Sequence, residues 1–203
     1  MKPSESLCAA KLRNDLGSVT IGREIVVLEE TVSTNNVVQQ MAAGESPEGL
    51  VVFAEHQSGG RGQRGNKWES APHKGLWFSI LLRPQLDLKD SGRLTDWTAK
   101  MIVATIESCC LVEASIKRPN DIVVAGRKVA GVLVEMRAQP RAPHVAIVGI
   151  GLNVNQTPSD FSKELRDRAT SLAIVRRSRI DRHRLAVELL QNLDRAYAEF
   201  RGR

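Results

Sequence analysis

Regular patterning starts at Gly22–Glu30, where GREIVVLEE concentrates β-branched and apolar residues and predicts a strand. TVSTNNVVQQMAAG follows, with Ser33 and Thr34 as candidate N-caps, a helix through about Ala43 and Gly44 as its stop. Leu50–Glu55 and Gly75–Leu82 read as two more strands. The first runs into a glycine-rich loop from Gln57 to Trp68, and the second is closed by Arg83-Pro84. Between Ser91 and Cys110, Leu94, Trp97, Met101, Ala104 and Cys109 recur at near-helical spacing and predict a long amphipathic helix. Strands at Ala114–Lys117, Ile122–Val124, Val129–Met136 and Val145–Val154 are separated by short turns, one at Ala125-Gly126, so neighbours are expected to pair antiparallel. Asp181 then caps a final helix with Leu185, Leu189, Leu193, Tyr197 and Phe200 as its stripe.

This order predicts an α+β fold, a mixed and largely antiparallel sheet flanked by helices. With no linker and no internal repeat, residues 1–203 read as one domain. A hydrophobic fraction of 42% and a charged fraction of 26% are ordinary for a soluble protein. No apolar run approaches the roughly 18 residues that span a bilayer, and the N-terminus lacks the apolar core of a secretory signal. The expectation is a cytoplasmic protein without a membrane partner. Cys109 and Cys110 are adjacent, a poor geometry for a disulfide, and with Cys8 they are expected to pack as small hydrophobes. His56, His73, His144 and His183 lie too far apart to suggest a zinc site.

The net charge of +6 changes the picture only through its placement. Arg61, Arg64, Lys67, Lys117, Arg127 and Lys128 fall near glycines and prolines, whereas Arg176, Arg177, Arg179, Arg182 and Arg184 form a late cluster expected to be a solvated face.

Three segments carry candidate chemistry. In AEHQSGGRGQRGNKW (Ala54–Trp68), Gly59, Gly60, Gly62 and Gly65 let the backbone turn tightly and approach a ligand. The interleaved cations and N–H groups suit phosphate oxygens, and Trp68 offers a flat face to a base or to the loop itself. A surface loop with incidental charge is the plainer alternative. The loop is neither a P-loop nor a dinucleotide fingerprint. In KRPND (Lys117–Asp121), Asn120 and Asp121 suit a turn, and Asp121 also suits a magnesium ion carried by a nucleotide. Lys128 follows on a hairpin arm before Ala130 and Gly131, where a solvated lysine is the ordinary outcome. In VGIGLNVN (Val148–Asn155), glycines and asparagines allow close backbone approach or a structural bulge.

Together these segments resemble the catalytic domain of biotin–protein ligases, from about Glu29 to about Phe200. Ser33-Thr34-Asn35, QSGGRGQRGNKW, KRPNDIVVAGRKVAG and GIGLNVN match that family's motifs in order and spacing. The resemblance implies a fold like that of class II aminoacyl-tRNA synthetases. It also implies activation of biotin by ATP and Mg2+ to biotinyl-5'-AMP, then transfer to a lysine of a biotin carboxyl carrier protein. Ser33, Thr34, Asn35, Gln57, Arg61, Gly62, Gln63 and Lys128 would then bind biotin. Arg64, Trp68, Asn120 and Asn153 would bind the nucleotide, and Asp121 the metal. Lys128, Arg61 and Lys117 would be catalytic, supplying the positive charge needed when a carboxylate attacks a phosphate.

Gln63, Asn66 and Arg118 depart from the family pattern, which has two arginines and a tryptophan there. No C-terminal β-barrel is expected, and the segment before the first strand is too short for a winged helix, so DNA is not an expected partner. A homodimer is left open. A lipoate ligase or octanoyltransferase of the same fold, or a degenerate biotin binder, are the alternatives. The first lacks support in the loop sequence, and the second sits poorly with Lys117, Asp121 and Lys128.

Overall fold

The computed structural model describes residues 6–44, 46–139 and 143–201. Met1–Glu5, on which part of the reading of the N-terminus rests, lie outside the described residues. The strands are β1 (Glu24–Thr31), β2 (Leu50–Gln57), β3 (Gly75–Leu82), β4 (Ser115–Lys117), β5 (Asp121–Val124), β6 (Arg127–Arg137) and β7 (Val145–Asn153). The helices are α1 (Ala9–Leu16), α2 (Thr34–Ala42), α3 (Ser91–Cys110), α4 (Leu172–Arg176) and α5 (Arg182–Arg201). The strands form one sheet in the order β1-β2-β3-β7-β6-β5-β4. β1 and β2 are parallel, joined by the α2 crossover, and the other neighbours are antiparallel, which for β4–β5, β5–β6 and β6–β7 their short connections predict.

Alternation of side chains across the sheet gives it two different faces. Val51 and Phe53 of β2, and Ala146, Val148, Ile150 and Leu152 of β7, enter the large core shared with α1, α3 and α5. Leu50 and Val52 of β2, with Val145 and Ile147 of β7, point the other way into a smaller core under α2. Further along that second face, β7 places Gly149 and Gly151 where the alternation would otherwise put side chains. The helix layer stops there, and the space left over the glycines becomes the site. β3 is buried along its whole length, consistent with a central strand covered on both faces.

Several expectations need correction. α1 was not anticipated; Leu12 and Leu16 anchor it in the core. In α3 the buried stripe runs through Ile102, Thr105, Ile106 and Cys110, while Ala104 and Cys109 are exposed. Cys110 alone of the three cysteines packs as a hydrophobe, since Cys8 is exposed too. Burial pushes the Cys110 thiol up to about 11, with the neighbouring Cys109 adding to the rise. The late arginine cluster is not wholly a solvated face. Arg182 is 5% exposed and grips the equally buried Glu55 through two hydrogen bonds, Nη1 to Oε2 at 2.7 Å and Nη2 to Oε1 at 3.1 Å. Arg176 donates to the carbonyl of Cys110. Among the described residues no helix is long and apolar enough to cross a membrane.

Candidate active site

Ser33, Thr34 and Asn35 form the N-terminal end of α2 and are buried against the open end of the sheet. Ser33 occupies the N-cap position, but its side chain makes no capping hydrogen bond. The Thr34 backbone N–H donates to Gln57 Oε1 at 2.8 Å. The Thr34 hydroxyl lies 3.1 Å from that same Oε1 and 2.7 Å from Ser79 Oγ. Ser79 donates to Asn35 Oδ1 at 2.5 Å, and Asn35 Nδ2 donates to Glu135 Oε2 at 2.6 Å. Arg61 Nη2 stands 3.6 Å from the same carboxylate oxygen. A chain of polar contacts thus runs from Gln57 through α2 to Arg61. Gly149 makes it sterically feasible, because a Cβ there would lie 2.3 Å from Asn35 Oδ1.

The loop after β2 folds back on itself. Arg61 and Lys67 form an isolated bridge, Gly62 N–H donates to Asn66 O at 2.7 Å, and Trp68 N–H donates to Gly60 O at 2.9 Å. Its tip is a 3-10 turn, Gln63–Gly65, with Arg64 left-handed at φ 58°. Trp68 returns to the sheet, edge-on to Trp77 at 5.9 Å between ring centroids. It lies so close to β7 that a Cβ on Gly151 would fall 2.4 Å from its Cε2. The glycines of GIGLNVN therefore admit the side chains of Asn35 and Trp68. The Trp68 indole N–H is buried without an acceptor.

On the other side, Lys128 and Asp121 meet across the β5–β6 hairpin, Nζ to Oδ1 at 2.6 Å. A register shift between Ile122 and Val123 accompanies this pairing, and Lys128 Nζ also sits 5.2 Å above the Trp68 ring. The Lys128 backbone is tied at both ends to a neighbouring segment, its N–H donating to Arg168 O and its carbonyl accepting from Thr170 N–H, each at 2.8 Å. Lys117, opposite Asp121 in the β4–β5 register, is exposed.

These parts line a cavity that is partly open to solvent. Of the residues expected in a site, Ser33, Thr34, Asn35, Gln57, Arg61, Gly62, Trp68, Asn120 and Lys128 line it. Gln63 and Arg64, at the loop tip, do not. A wider groove adjoins through Lys128 and holds Lys117, Asp121 and Lys67. Asn153 faces a smaller recess with Trp68 and Lys128, but its amide is already engaged. Nδ2 donates to Thr170 O at 3.0 Å, and Oδ1 accepts from Gln156 Nε2 at 2.9 Å. Asn120 donates to Val132 O at 2.9 Å. Arg118 pairs with Asp96 on α3 at 3.4 Å; a hydrogen bond from Lys100 holds that carboxyl below its usual range, and Arg118 adds to the effect.

Ser79 and Glu135 were not singled out in the sequence. The signal was present: each is a polar residue inside an otherwise apolar strand, GLWFSILL and VAGVLVEM. Ser79 is fully buried and so needs a partner, whereas Glu135 is half-buried and meets its partners at the edge of the site.

Residues 27–153 match the profile of the biotin/lipoate A/B protein ligase family. The chain belongs to that family. It is 34% identical over 200 residues to the bifunctional ligase/repressor BirA of Bacillus subtilis, covering 98% of this chain and 62% of that protein. With the biotin–[acetyl-CoA-carboxylase] ligase of Mycobacterium tuberculosis it shares 31% identity over 197 residues, 94% of this chain and 71% of the relative. The Aquifex aeolicus biotin protein ligase in complex with biotin and ATP superposes with a TM-score of 0.76 at 30% identity, over 89% of this chain and 73% of that one. A putative lipoate protein ligase from T. acidophilum, 13% identical with a TM-score of 0.61, shares the fold.

Proposed function

We propose that this domain activates biotin with ATP as biotinyl-5'-AMP and passes the biotinyl group to a lysine of a biotin carboxyl carrier protein. The observation that carries this reading is the polarity of the cavity. Its lining combines uncharged hydrogen-bonding groups from Thr34, Asn35 and Gln57 with the cations Arg61 and Lys128. Biotin calls for the same two kinds of group, hydrogen-bonding partners for its uncharged cyclic urea and cations for its carboxylate. Family membership and the likeness to biotin protein ligases support the same substrate.

In the first step a biotin carboxylate oxygen bonds to the α-phosphorus of ATP, the bond to the bridging oxygen breaks, and pyrophosphate leaves. Attack of one anion on another needs positive charge fixed in advance, which Lys128 and Arg61 would provide from the cavity lining. In the second step an uncharged lysine amine attacks the carbonyl carbon, AMP leaves with the bonding pair, and the amine proton is lost to solvent. Lys117, which lines the adjoining groove, would meet the phosphates there.

Among the described residues no group of three or more His, Cys, Asp or Glu is gathered to cage a metal. The single carboxylate of Asp121 suits an Mg2+ that arrives with ATP and takes its other ligands from phosphate and water. When bound, that ion would neutralise phosphate charge, and Asp121 would hold it beside Lys128.

Biotin-dependent exchange of pyrophosphate into ATP tests the proposal. Exchange with biotin, and none with lipoate or octanoate, is expected. Exchange driven by lipoate or octanoate alone would overturn it. The lipoyl reading is disfavoured by the polar chain itself, since a dithiolane ring offers it neither an N–H nor a carbonyl.

A further inference from the structure

The polar chain beneath the cavity is short of one proton. Three contacts, Gln57–Thr34, Thr34–Ser79 and Ser79–Asn35, join two hydroxyls and two amides. The amides cannot donate into them. Gln57 turns Oε1 inward because it accepts the Thr34 backbone N–H. Asn35 turns Oδ1 inward because its Nδ2 donates to the Glu135 carboxylate, and the flipped amide would set two acceptors together. Two hydroxyl protons therefore serve three contacts.

The chemistry also fixes the direction. Ser79 must donate to Asn35 Oδ1, the shortest contact at 2.5 Å. Its oxygen then only accepts, so Thr34 donates to Ser79 at 2.7 Å. The longest contact, 3.1 Å between Thr34 Oγ1 and Gln57 Oε1, is left as two acceptor oxygens facing each other. Both residues line the cavity, whereas Ser79 is fully buried behind it.

We propose that Ser79 is a positioning residue which, with Glu135 as anchor, commits Thr34 and Gln57 to accept hydrogen bonds and so selects ligands that bring N–H donors. This rests on the biotin reading, in which the ureido N–H groups supply the missing protons. A ligand without such donors leaves the two oxygens opposed in a desolvated site. Without Ser79, the Thr34 proton is free to turn to Gln57, and the demand for a donor disappears. Glu135→Gln has a related effect, since a glutamine side chain tolerates either orientation of Asn35.

The test is calorimetric affinity for three probes: biotin, biotin methylated on both ureido nitrogens, and biotin methyl ester. The wild-type protein should bind the N-methylated probe at least about tenfold more weakly than biotin. In Ser79→Ala, and independently in Glu135→Gln, that ratio should fall to about two- or threefold. The ratio of biotin to methyl ester, which reports the contacts of the carboxylate with cations such as Lys128, should stay as in wild type for Ser79→Ala. Because the ligand change is the same in each protein, the steric effect of the methyl groups cancels in the comparison. If Ser79→Ala does not fold, Glu135→Gln decides alone. An unchanged N-methyl ratio in the variants, or a parallel collapse of both ratios, would overturn the proposal and leave the functional reading standing. A wild-type protein that binds no biotin would overturn both.

Discussion

Lys128 Nζ stands 2.6 Å from Asp121 Oδ1 across the β5–β6 hairpin, with both side chains about one-third exposed. The pair keeps a cation and an anion together where the cavity meets the wider groove. A nucleotide-borne cation at Asp121 would compete for that carboxylate and release the ammonium toward the reacting oxygens. Lys128→Ala is therefore expected to slow biotin-dependent pyrophosphate exchange by about 10²–10³, the usual loss for one donor to transition-state charge. Circular dichroism should remain that of the wild type. A near-normal exchange rate would reduce Lys128 to a lysine that merely neutralises Asp121.

Gly149 is held to glycine by Asn35. Gly149→Ala would put a methyl group 2.3 Å from Asn35 Oδ1, so the amide must move and its links to Ser79 and Glu135 must break. Overpacking of this kind destabilises by about 1–3 kcal/mol. Biotin affinity should fall by tenfold or more, read by calorimetry on protein still folded at 25 °C. Wild-type affinity in that variant would show that Asn35 is not needed where it lies.

Arg182 and Glu55 form a buried pair, and Glu55 Oε1 also accepts the backbone N–H of Leu7 at 2.6 Å. Arg182→Met leaves the carboxylate buried without its cation, a change that destabilises by about 3–5 kcal/mol. The melting temperature should drop by roughly 6–20 °C for a chain of this size. Replacing both partners, Arg182→Met with Glu55→Leu, should recover most of the loss. A drop below about 2 °C for the single variant would mean that water, or His73 with Nδ1 3.5 Å from Oε2, compensates Glu55.

Cys110 is buried at the end of α3 with its thiol pushed up to about 11, while Cys8 and Cys109 are exposed. At pH 8 the Cys110 thiol stays protonated and covered, so a thiol reagent should label two cysteines quickly and the third only on unfolding. Fast labelling of all three in native buffer would show that the end of α3 opens readily.

β3 over Gly75–Leu82 and α3 over Ser91–Cys110 coincide with the segments that periodicity and closing residues predict. The two arms β6 and β7 fall within a residue or two of prediction at each end. Such elements are legible because their information is local: a period, a cap, a proline or glycine stop. The glycine-rich loop and the KRPND turn were legible as candidate chemistry for a similar reason, since packing alone does not call for those residue types at that density. What the pattern of apolar positions missed in α3 has a physical cause. Thr98 and Thr105 donate to the carbonyls of Leu94 and Met101, each at 2.7 Å, so these threonines satisfy their own hydroxyls and can be buried. The burial of Arg182 likewise depends on a partner 127 residues away. Ser79, Asn35 and Glu135 meet only because the sheet sets β3, β7 and β6 side by side and α2 covers their glycine-lined end. The sequence by itself determined the strands, the helices α2, α3 and α5, and the loops that carry charge, but not the short helices α1 and α4. Only the tertiary structure decided which polar side chains satisfy one another, because a hydrogen bond or an ion pair between distant residues depends on strand order and register, which no local period encodes.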